Sequence, residues 1–243
     1  MKWNEWYANF FDKDLIGSFV PTEVSQQEIG ILKKLLKGDT VLDLGCGVGR
    51  FSLVLAKFGY KVYALDVNKL YLRVLKYEAK RMGVEKNIKI LCLDMRSLNQ
   101  LNVLFDNILL TFNTFGYFTH RENIRLIKDI ARKLRPKGRL IISQSSFDFV
   151  KSNLKDRDWF EDHKFLFLSE NRWRIFKDRI IIYTKWRIVD KNSKKVKEKF
   201  QRITIYKPSK LVEICKNYGL KLLWKKRIGN MEWFCFYLPR ATI

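Results

Sequence analysis

Residues 41–51 read Val-Leu-Asp-Leu-Gly-Cys-Gly-Val-Gly-Arg-Phe, a short apolar run that carries one carboxylate and then three glycines at alternate positions. Gly45 and Gly47 let the backbone pass close to a ligand, because neither has a Cβ to stand in the way. A helix that starts near Gly49 would offer free N–H groups to a carboxylate. Asp43, two residues before the first glycine, is placed to meet an ammonium group directly or through water. A nucleotide phosphate would also suit a helix N-terminus, but it predicts a different glycine spacing and leaves Asp43 without a task.

Two further acids stand where the same ligand would continue. Leu65-Asp66-Val67 closes the next apolar run, 21 residues after Gly45, about the separation that a strand-helix-strand unit imposes. A carboxylate at that strand end can accept from both hydroxyls of a ribose. The third run closes in Cys92-Leu93-Asp94-Met95, where Asp94 would accept from an exocyclic adenine amine. Each acid alone reads as an ordinary solvated strand end. Three strand ends in register, each with a suitable group, point to one binding crevice.

The elements that must hold these residues follow from periodicity. Val41–Leu44, Lys61–Leu65, Ile88–Leu93, Asn107–Phe112 and Arg139–Ser143 read as short apolar strands. Residues 50–58, 68–82 and 121–135 between them read as amphipathic helices, the last with Ile124, Ile127, Ile130, Ala131 and Leu134 at helical spacing. Buried strands that alternate with helices predict an α/β, Rossmann-like, doubly wound parallel sheet. Ahead of it, aromatics at three- and four-residue spacing (Trp3, Trp6, Tyr7, Phe10) suggest a short helix, and Val24–Leu36 suggests a second that Gly38 stops. After Ser146 the rhythm breaks. Residues 150–164 read as irregular or helical; 165–168, 172–177, 179–189 and 198–206 read as an antiparallel meander, with its clearest turn at 190–193. Pro208 then opens a helix, and Leu220–Arg227 pairs with Met231–Leu238 across Gly229-Asn230. The expected organisation is an N-terminal helical cap over 1–37, a cofactor-binding domain over 38–147 and 207–243, and an antiparallel insertion over 148–206 that lies before the last helix.

These residues also carry a family resemblance. VLDLGCGVGRFS, the acid at Asp66, Asp94-Met95, and Phe105-Asp106 through Asn113-Thr-Phe-Gly-Tyr117-Phe118 followed by LRPKGRLIIS resemble the ordered motifs of class I S-adenosylmethionine-dependent methyltransferases. The resemblance implies a seven-stranded sheet and S-adenosyl-L-methionine as cofactor. It implies that Asp43, Gly45, Cys46 and Gly47 surround the methionine part, Asp66 and Val67 the ribose, Asp94 and Met95 the adenine, and Thr111 and Asn113 the methyl sulfonium. It also suggests that Tyr7, Phe10 and Phe11 close over the cofactor, although an aromatic stripe of this kind equally reads as packing. The FNTFGYF segment together with an antiparallel insertion is more similar to small-molecule members than to those that modify nucleic acid. Where members that methylate adenine or glutamine amides carry (N/D)-P-P-(Y/F), this chain has Asn113-Thr-Phe-Gly, which argues against both reactions.

An amine acceptor needs only to arrive unprotonated, whereas a hydroxyl needs a general base. The chain has two histidines. Tyr117 and His120 are the candidate catalytic residues, with His120 the better base against the reading of a solvated helix-start residue. His163 lies among Asp156, Asp158, Glu161 and Asp162, a patch that suits a cationic substrate or simply a solvated loop. Trp159, Trp173, Phe176 and Trp186 offer aromatic walls to a substrate or a core to the insertion.

The net charge of +23 is concentrated: residues 172–227 hold 19 Lys and Arg against four acids. With Trp173, Arg174, Lys185, Trp186, Arg187, Lys194, Lys195 and Lys197 interleaved, that segment admits a nucleic-acid partner, an RNA or a ribosome, as the alternative to a small molecule. Charged surfaces of this kind also occur for reasons of stability and solubility. Cys46, Cys92, Cys215 and Cys235 are far apart and form no C-x-x-C pair, so no metal site or disulfide framework is expected, and they read as reduced core thiols of a cytoplasmic protein. No apolar run is long enough to span a membrane.

Overall fold

The structure is a computed structural model and describes residue 7, residues 10–18 and residues 21–239. The core is a seven-stranded sheet in the order β10-β11-β5-β4-β1-β2-β3. Its strands are β1 (Thr40–Leu44), β2 (Lys61–Asp66), β3 (Ile88–Cys92), β4 (Phe105–Leu110), β5 (Leu134–Ser145), β10 (Lys221–Ile228) and β11 (Met231–Tyr237). The pairings among β1 to β5 are parallel, and β11 runs antiparallel to both β5 and β10. β1 and β4 are buried almost throughout, as strands covered by helices on both faces must be, which is why each is largely apolar with no regular alternation.

Helices α1 (Gln26–Leu35), α2 (Arg50–Lys57), α3 (Lys69–Arg81), α4 (His120–Lys133), α5 (Phe147–Ser152) and α6 (Pro208–Lys216) accompany these strands among the described residues. Helix α1 starts at a capping box: the Ser25 hydroxyl accepts from the Glu28 N–H and the Glu28 carboxylate accepts from the Ser25 N–H. Thr119 and Glu122 do the same for α4. Of the aromatics expected to form a short helix near the start of the chain, Trp3 and Trp6 lie outside the described residues. Tyr7 and Phe10 are helical, and a single 3-10 turn, Lys13–Leu15, follows.

The order of the sheet reverses at β1. The chain winds outward through β2 and β3, then crosses back to place β4 on the other side of β1. In an open α/β sheet the carboxyl ends of the strands diverge at such a point and leave a crevice. The three acids noted in the sequence stand at or just beyond the carboxyl ends of β1, β2 and β3.

The insertion is a four-stranded antiparallel sheet, β6 (Arg157–Glu161), β7 (Phe165–Ile175), β8 (Arg179–Asp190) and β9 (Val196–Tyr206), in chain order. It departs from the sequence reading in two places. Residues 157–161, expected to be irregular or helical, form β6; its residues are all exposed, so no alternation announces it. The runs 165–168 and 172–177 are one strand. Ser169 and Asn171 interrupt the apolar pattern because they face a cavity and not the core. Cys46, Cys215 and Cys235 are buried as expected, but Cys92 at the end of β3 is exposed.

Candidate active site

A cavity of about 400 Å3 occupies the switch point. The glycine turn forms one wall and is pinned to β2: the N–H groups of Gly45 and Cys46 both donate to the Leu65 carbonyl, at 2.8 and 3.0 Å. Gly45, Gly47 and Gly49 all have left-handed backbones, with φ of 70°, 57° and 87°, so the alternate-glycine spacing is a conformational requirement of this turn. Asp66 holds it from the other side. One carboxylate oxygen accepts from the Gly47 N–H at 2.9 Å and the other from the Asn68 N–H at 2.8 Å. A carboxylate has about four lone-pair sites, so each oxygen keeps capacity for a further donor in the cavity. Burial pushes the Asp66 pKa above the usual carboxylate range, against the opposing pull of those N–H groups.

Asp43 is 2% exposed, and its carboxylate accepts from the Ser52 hydroxyl at 2.7 Å. Burial raises its pKa to about 6, with the Ser52 bond holding it down in part. Asp94 is differently placed. Both of its oxygens are engaged by Arg96, whose guanidinium approaches to 2.7 Å, and the Tyr7 hydroxyl donates to one of them at 3.2 Å. Burial opposes ionisation of Asp94, but the hydrogen bonds from Arg96 prevail and hold it below its ordinary pKa. An adenine amine therefore meets an acid that is already well supplied with donors. Arg96 continues to Glu122 at 2.9 Å, so the network ties the end of β3 to the first turn of α4.

Beyond β4, Phe112 and Asn113 adopt left-handed φ of 55° and 64°, a conformation that costs a non-glycine residue on the order of 1 kcal/mol and persists only when neighbours impose it. Here the Phe112 N–H donates to the Ser143 hydroxyl, the Asn113 N–H to the Ser143 carbonyl, and the Asn113 side-chain amide exchanges two hydrogen bonds with Ser145. The loop carrying Thr111 and Asn113 into the cavity is thus fastened to β5.

Tyr7, Phe11, Tyr117 and Phe118 form the cover. Tyr7 stacks on Tyr117 with ring centroids 6.5 Å apart and meets Phe118 edge-on at 5.1 Å. The segment behind Tyr7 is strapped to both halves of the molecule. Asn68 donates to the Phe11 carbonyl, Tyr71 to the Asp12 carbonyl, and Lys199 of β9 pairs with Asp12 at 3.0 Å. Burial raises the pKa of Tyr7, Tyr71 and Tyr117 alike, so all three remain neutral phenols.

Tyr7, Phe11, Asp43, Gly45, Cys46, Gly47, Asp66, Val67, Asp94, Met95, Thr111 and Asn113, singled out in the sequence for the cofactor, line this one cavity, and so does Tyr117, whereas Phe10 is buried in the core instead. His120 does not. Its ring nitrogen Nδ1 lies 3.1 Å from the Tyr206 hydroxyl, between α4 and β9, and burial followed by the charge of Arg179 lowers its pKa. His163 is exposed. Glu161 beside it pairs with Lys191, and Asp162 accepts the turn N–H groups of Lys164 and Phe165.

A second cavity of about 290 Å3 opens beneath the insertion and shares Asn113, Gln201 and Ile203 with the first. Trp159, Phe160, Trp186, Val150, Ile182 and Ile205 line it together with the polar Ser169, Asn171 and Thr184. Trp173 instead packs with Phe147, Ile180 and Ile205, and Phe176 lies against the Arg179 guanidinium, 4.2 Å from its ring centre. Sequence reasoning missed Arg96, Gln201 and the Ser169–Asn171 pair. For the strand residues, polar positions in otherwise apolar runs mark a face without telling a cavity from solvent, and Arg96, in the turn after β3, carries no such mark.

The basic segment is paired in part. Arg179, Lys185, Arg187, Lys191, Lys197, Lys199, Lys210 and Lys225 all form ion pairs, and Arg202 is buried with its guanidinium donating to the Phe118 carbonyl. Among the described residues no cluster of three or more His, Cys, Asp or Glu suits a metal ion, and no helix is long and apolar enough to cross a membrane.

Residues 41–138 match the family model described as a methyltransferase domain. Over 104 residues the chain is 38% identical to the cypemycin N-terminal methyltransferase of a Streptomyces species, a match that covers 42% of this chain and 40% of that relative. The chain thus spans less than half the length of this relative. Likeness to solved structures extends over the whole chain: the CcbJ methyltransferase of Streptomyces caelestis superposes with a TM-score of 0.80 at 14% identity, with 98% of both chains covered. CalS10 of Micromonospora echinaspora, an amino pentose methyltransferase solved with bound S-adenosylmethionine, superposes at 0.61 with 16% identity, covering 83% of this chain and 84% of its own.

Proposed function

We propose, from the match of residues 41–138 to a methyltransferase domain, that the chain is a class I S-adenosylmethionine-dependent methyltransferase and transfers a methyl group from S-adenosylmethionine to a nitrogen of a small molecule held beneath the antiparallel sheet. The observation that carries this reading is the junction of the two cavities at Asn113, Gln201 and Ile203.

The first cavity fits the cofactor on its own chemistry. Its volume falls within the range of about 300–1,000 Å3 usual for small-molecule sites. Arg50, which lines it and pairs with Glu28 at 2.5 Å, keeps its Nη1 buried without a hydrogen-bond partner, a position that the carboxylate of an amino acid end would satisfy. Asp43 would answer the ammonium, the free lone pairs of Asp66 the ribose, and Val67, Leu93 and Met95 the faces of the adenine. When bound, the cofactor supplies a methyl group on a sulfonium, whose departure leaves a neutral thioether.

The protein's share of the reaction is placement and exclusion of water. An in-line displacement depends on the approach of nucleophile to methyl, and a fastened loop at 111–113 and a cover of tyrosines hold that geometry while shutting out solvent. None of the three residues at the junction is a base. The tyrosines nearby hold their protons, Asp43 and Asp66 are committed to the glycine turn region, and His120 is elsewhere. Asp158, the carboxylate that lines the second cavity, accepts from Lys155 and the Trp159 N–H, and a junction without a base of its own suits a nucleophile that already carries a free lone pair, which is an amine more than an aliphatic hydroxyl. The names of the relatives agree, one acting on an N-terminus and another on an amino sugar.

The test is methyl transfer from labelled S-adenosylmethionine to panels of small amines, small phenols and RNA, followed by mass spectrometry. Transfer to amines is expected. Transfer to RNA alone would overturn the reading.

A pH dependence follows from Asp43. With its pKa raised to about 6, the carboxylate is ionised at neutral pH and protonates as pH falls through 6. Its attraction for an ammonium should be lost in that window, so cofactor affinity should drop severalfold between about pH 7 and pH 5. Folding responds in the opposite sense. The folded pKa lies above the unfolded value, so the cost of burying the charge is present above pH 6 and relieved below it. Titration of S-adenosylhomocysteine into wild type and Asp43→Asn at pH 5 and 7 checks this, and the variant should show a weaker and flatter profile.

A further inference from the structure

The inner face of the insertion carries a polar pair whose orientation can be read without ambiguity. Thr184 of β8 stands directly opposite Gln201 of β9 in the antiparallel register. Their side chains are 5% and 9% exposed, both line the second cavity, and Gln201 also lines the first. The Trp186 indole N–H lies 3.1 Å from Oε1 of Gln201. An indole nitrogen only donates, so the atom it meets must be the amide oxygen, and the amide NH2 of Gln201 is the end left to donate to a ligand. Thr184 is fixed in the opposite sense. Its hydroxyl donates to Oδ1 of Asn171 at 2.8 Å, while Nδ2 of Asn171 is spent on the Lys155 carbonyl and the Ser169 hydroxyl. Thr184 therefore offers the cavity only lone pairs.

A buried donor and a buried acceptor, with Cβ atoms about 5 Å apart across a strand pair, describe the partner they need. A hydroxyl is the small neutral group that accepts from one and donates to the other with a single oxygen. An unpaired polar group in such a place is costly, so a site built this way discriminates strongly against an analogue that lacks the matching group.

Resting on the proposed amine methylation, we propose that the acceptor is an amino alcohol: an amine whose hydroxyl lies close to the reacting nitrogen, read by Gln201 and Thr184, with an apolar or aromatic body against Trp186, Ile182 and Ile205. Gln201 and Thr184 then act as specificity-determining residues. Trp186 is a positioning residue that sets the Gln201 amide.

The probes are 2-amino-1-phenylethanol and its deoxy counterpart, 2-phenylethylamine, each tested as methyl acceptor with S-adenosylmethionine. Wild type should favour the hydroxylated amine by at least about 30-fold in kcat/KM. Gln201→Leu and Thr184→Val should bring the two amines within about threefold of each other by lowering the rate with the amino alcohol, while Thr184→Val, which lines only the second cavity, keeps its affinity for S-adenosylhomocysteine. Equal use of both amines by wild type, refusal of both by an enzyme that binds S-adenosylhomocysteine, or an undiminished preference in the variants would overturn the amino-alcohol inference. Failure of wild type to bind S-adenosylhomocysteine would instead overturn the methyltransferase reading beneath it.

Discussion

Asp66→Ala is expected to abolish cofactor binding over the range accessible to calorimetry while the protein remains folded. The carboxylate has two tasks at once. It accepts the N–H groups of Gly47 and Asn68, which holds the glycine turn in its left-handed path, and its remaining lone pairs face the cavity. Loss of two charge-assisted hydrogen bonds to a bound diol, at about 1.5–3 kcal/mol each, corresponds to a fall in affinity of roughly 100- to 1,000-fold or more. Asp66→Asn is not a conservative control. Because each oxygen already accepts from a backbone N–H, the asparagine NH2 must face one of those donors, and the variant should be nearly as defective as alanine. The apoprotein should tolerate either change. Burial raises the Asp66 pKa, so an ionised carboxylate there is a burden that substitution relieves, partly offsetting the two N–H groups it frees. Titration of S-adenosylhomocysteine, with thermal unfolding of each apoprotein beside it, separates lost binding from lost structure. Undiminished affinity in Asp66→Ala would remove this residue from the site.

Gly116→Ala should have the largest effect on stability. Gly116 lies in the 3-10 turn Thr114–Gly116 beneath β9, and a Cβ added to it would overlap the carbonyl oxygen of Thr204. That neighbour is backbone within a strand paired along its length to β8, so it cannot swing aside as a side chain would. One of two things must yield: the turn that follows Asn113, or the seat of the antiparallel sheet on the seven-stranded one. Overpacking of this kind costs about 1–3 kcal/mol, and for a chain of this size each kcal/mol lowers Tm by roughly 2–4 °C, so a fall approaching 10 °C is expected in calorimetry. Gly30→Ala is the matched control. It sits in α1 with nothing within 4 Å of the added Cβ, and should be neutral or slightly stabilising.

These two positions illustrate how far the sequence could be read. Asp66 was legible because strand ends of a doubly wound sheet fall at predictable intervals and a carboxylate there has a recognisable use. Gly116 was not. Its constraint comes from Thr204, 88 residues away, and no local pattern records which backbone will pass over a glycine. The same division runs through the site. The glycine turn, Asp43, Asp94 and Asn113 each sit within one strand-loop unit, and all line the cavity. Arg96, which occupies Asp94, lies two residues further on and reads as one more surface arginine. Gln201 and Thr184 are polar residues in β strands, and sequence alternation cannot tell the face that meets water from the face that meets a cavity. His120 misled for the converse reason. It is near Tyr117 in sequence, but the capping box at Thr119 starts α4 there and turns the imidazole toward Tyr206. Part of the basic character of residues 172–227 is taken up in ion pairs, some with acids from other segments, Asp12 and Glu170 among them.

The most direct test of the central claim is calorimetric titration of S-adenosylhomocysteine into the wild-type chain at pH 7, at low and at high salt. The account predicts one site per chain with micromolar or tighter affinity. Little salt dependence is expected, since the contacts lie in a buried cavity and not on the basic surface. Absence of binding at either ionic strength, or binding that disappears with salt, would contradict it and leave the switch-point cavity without its ligand.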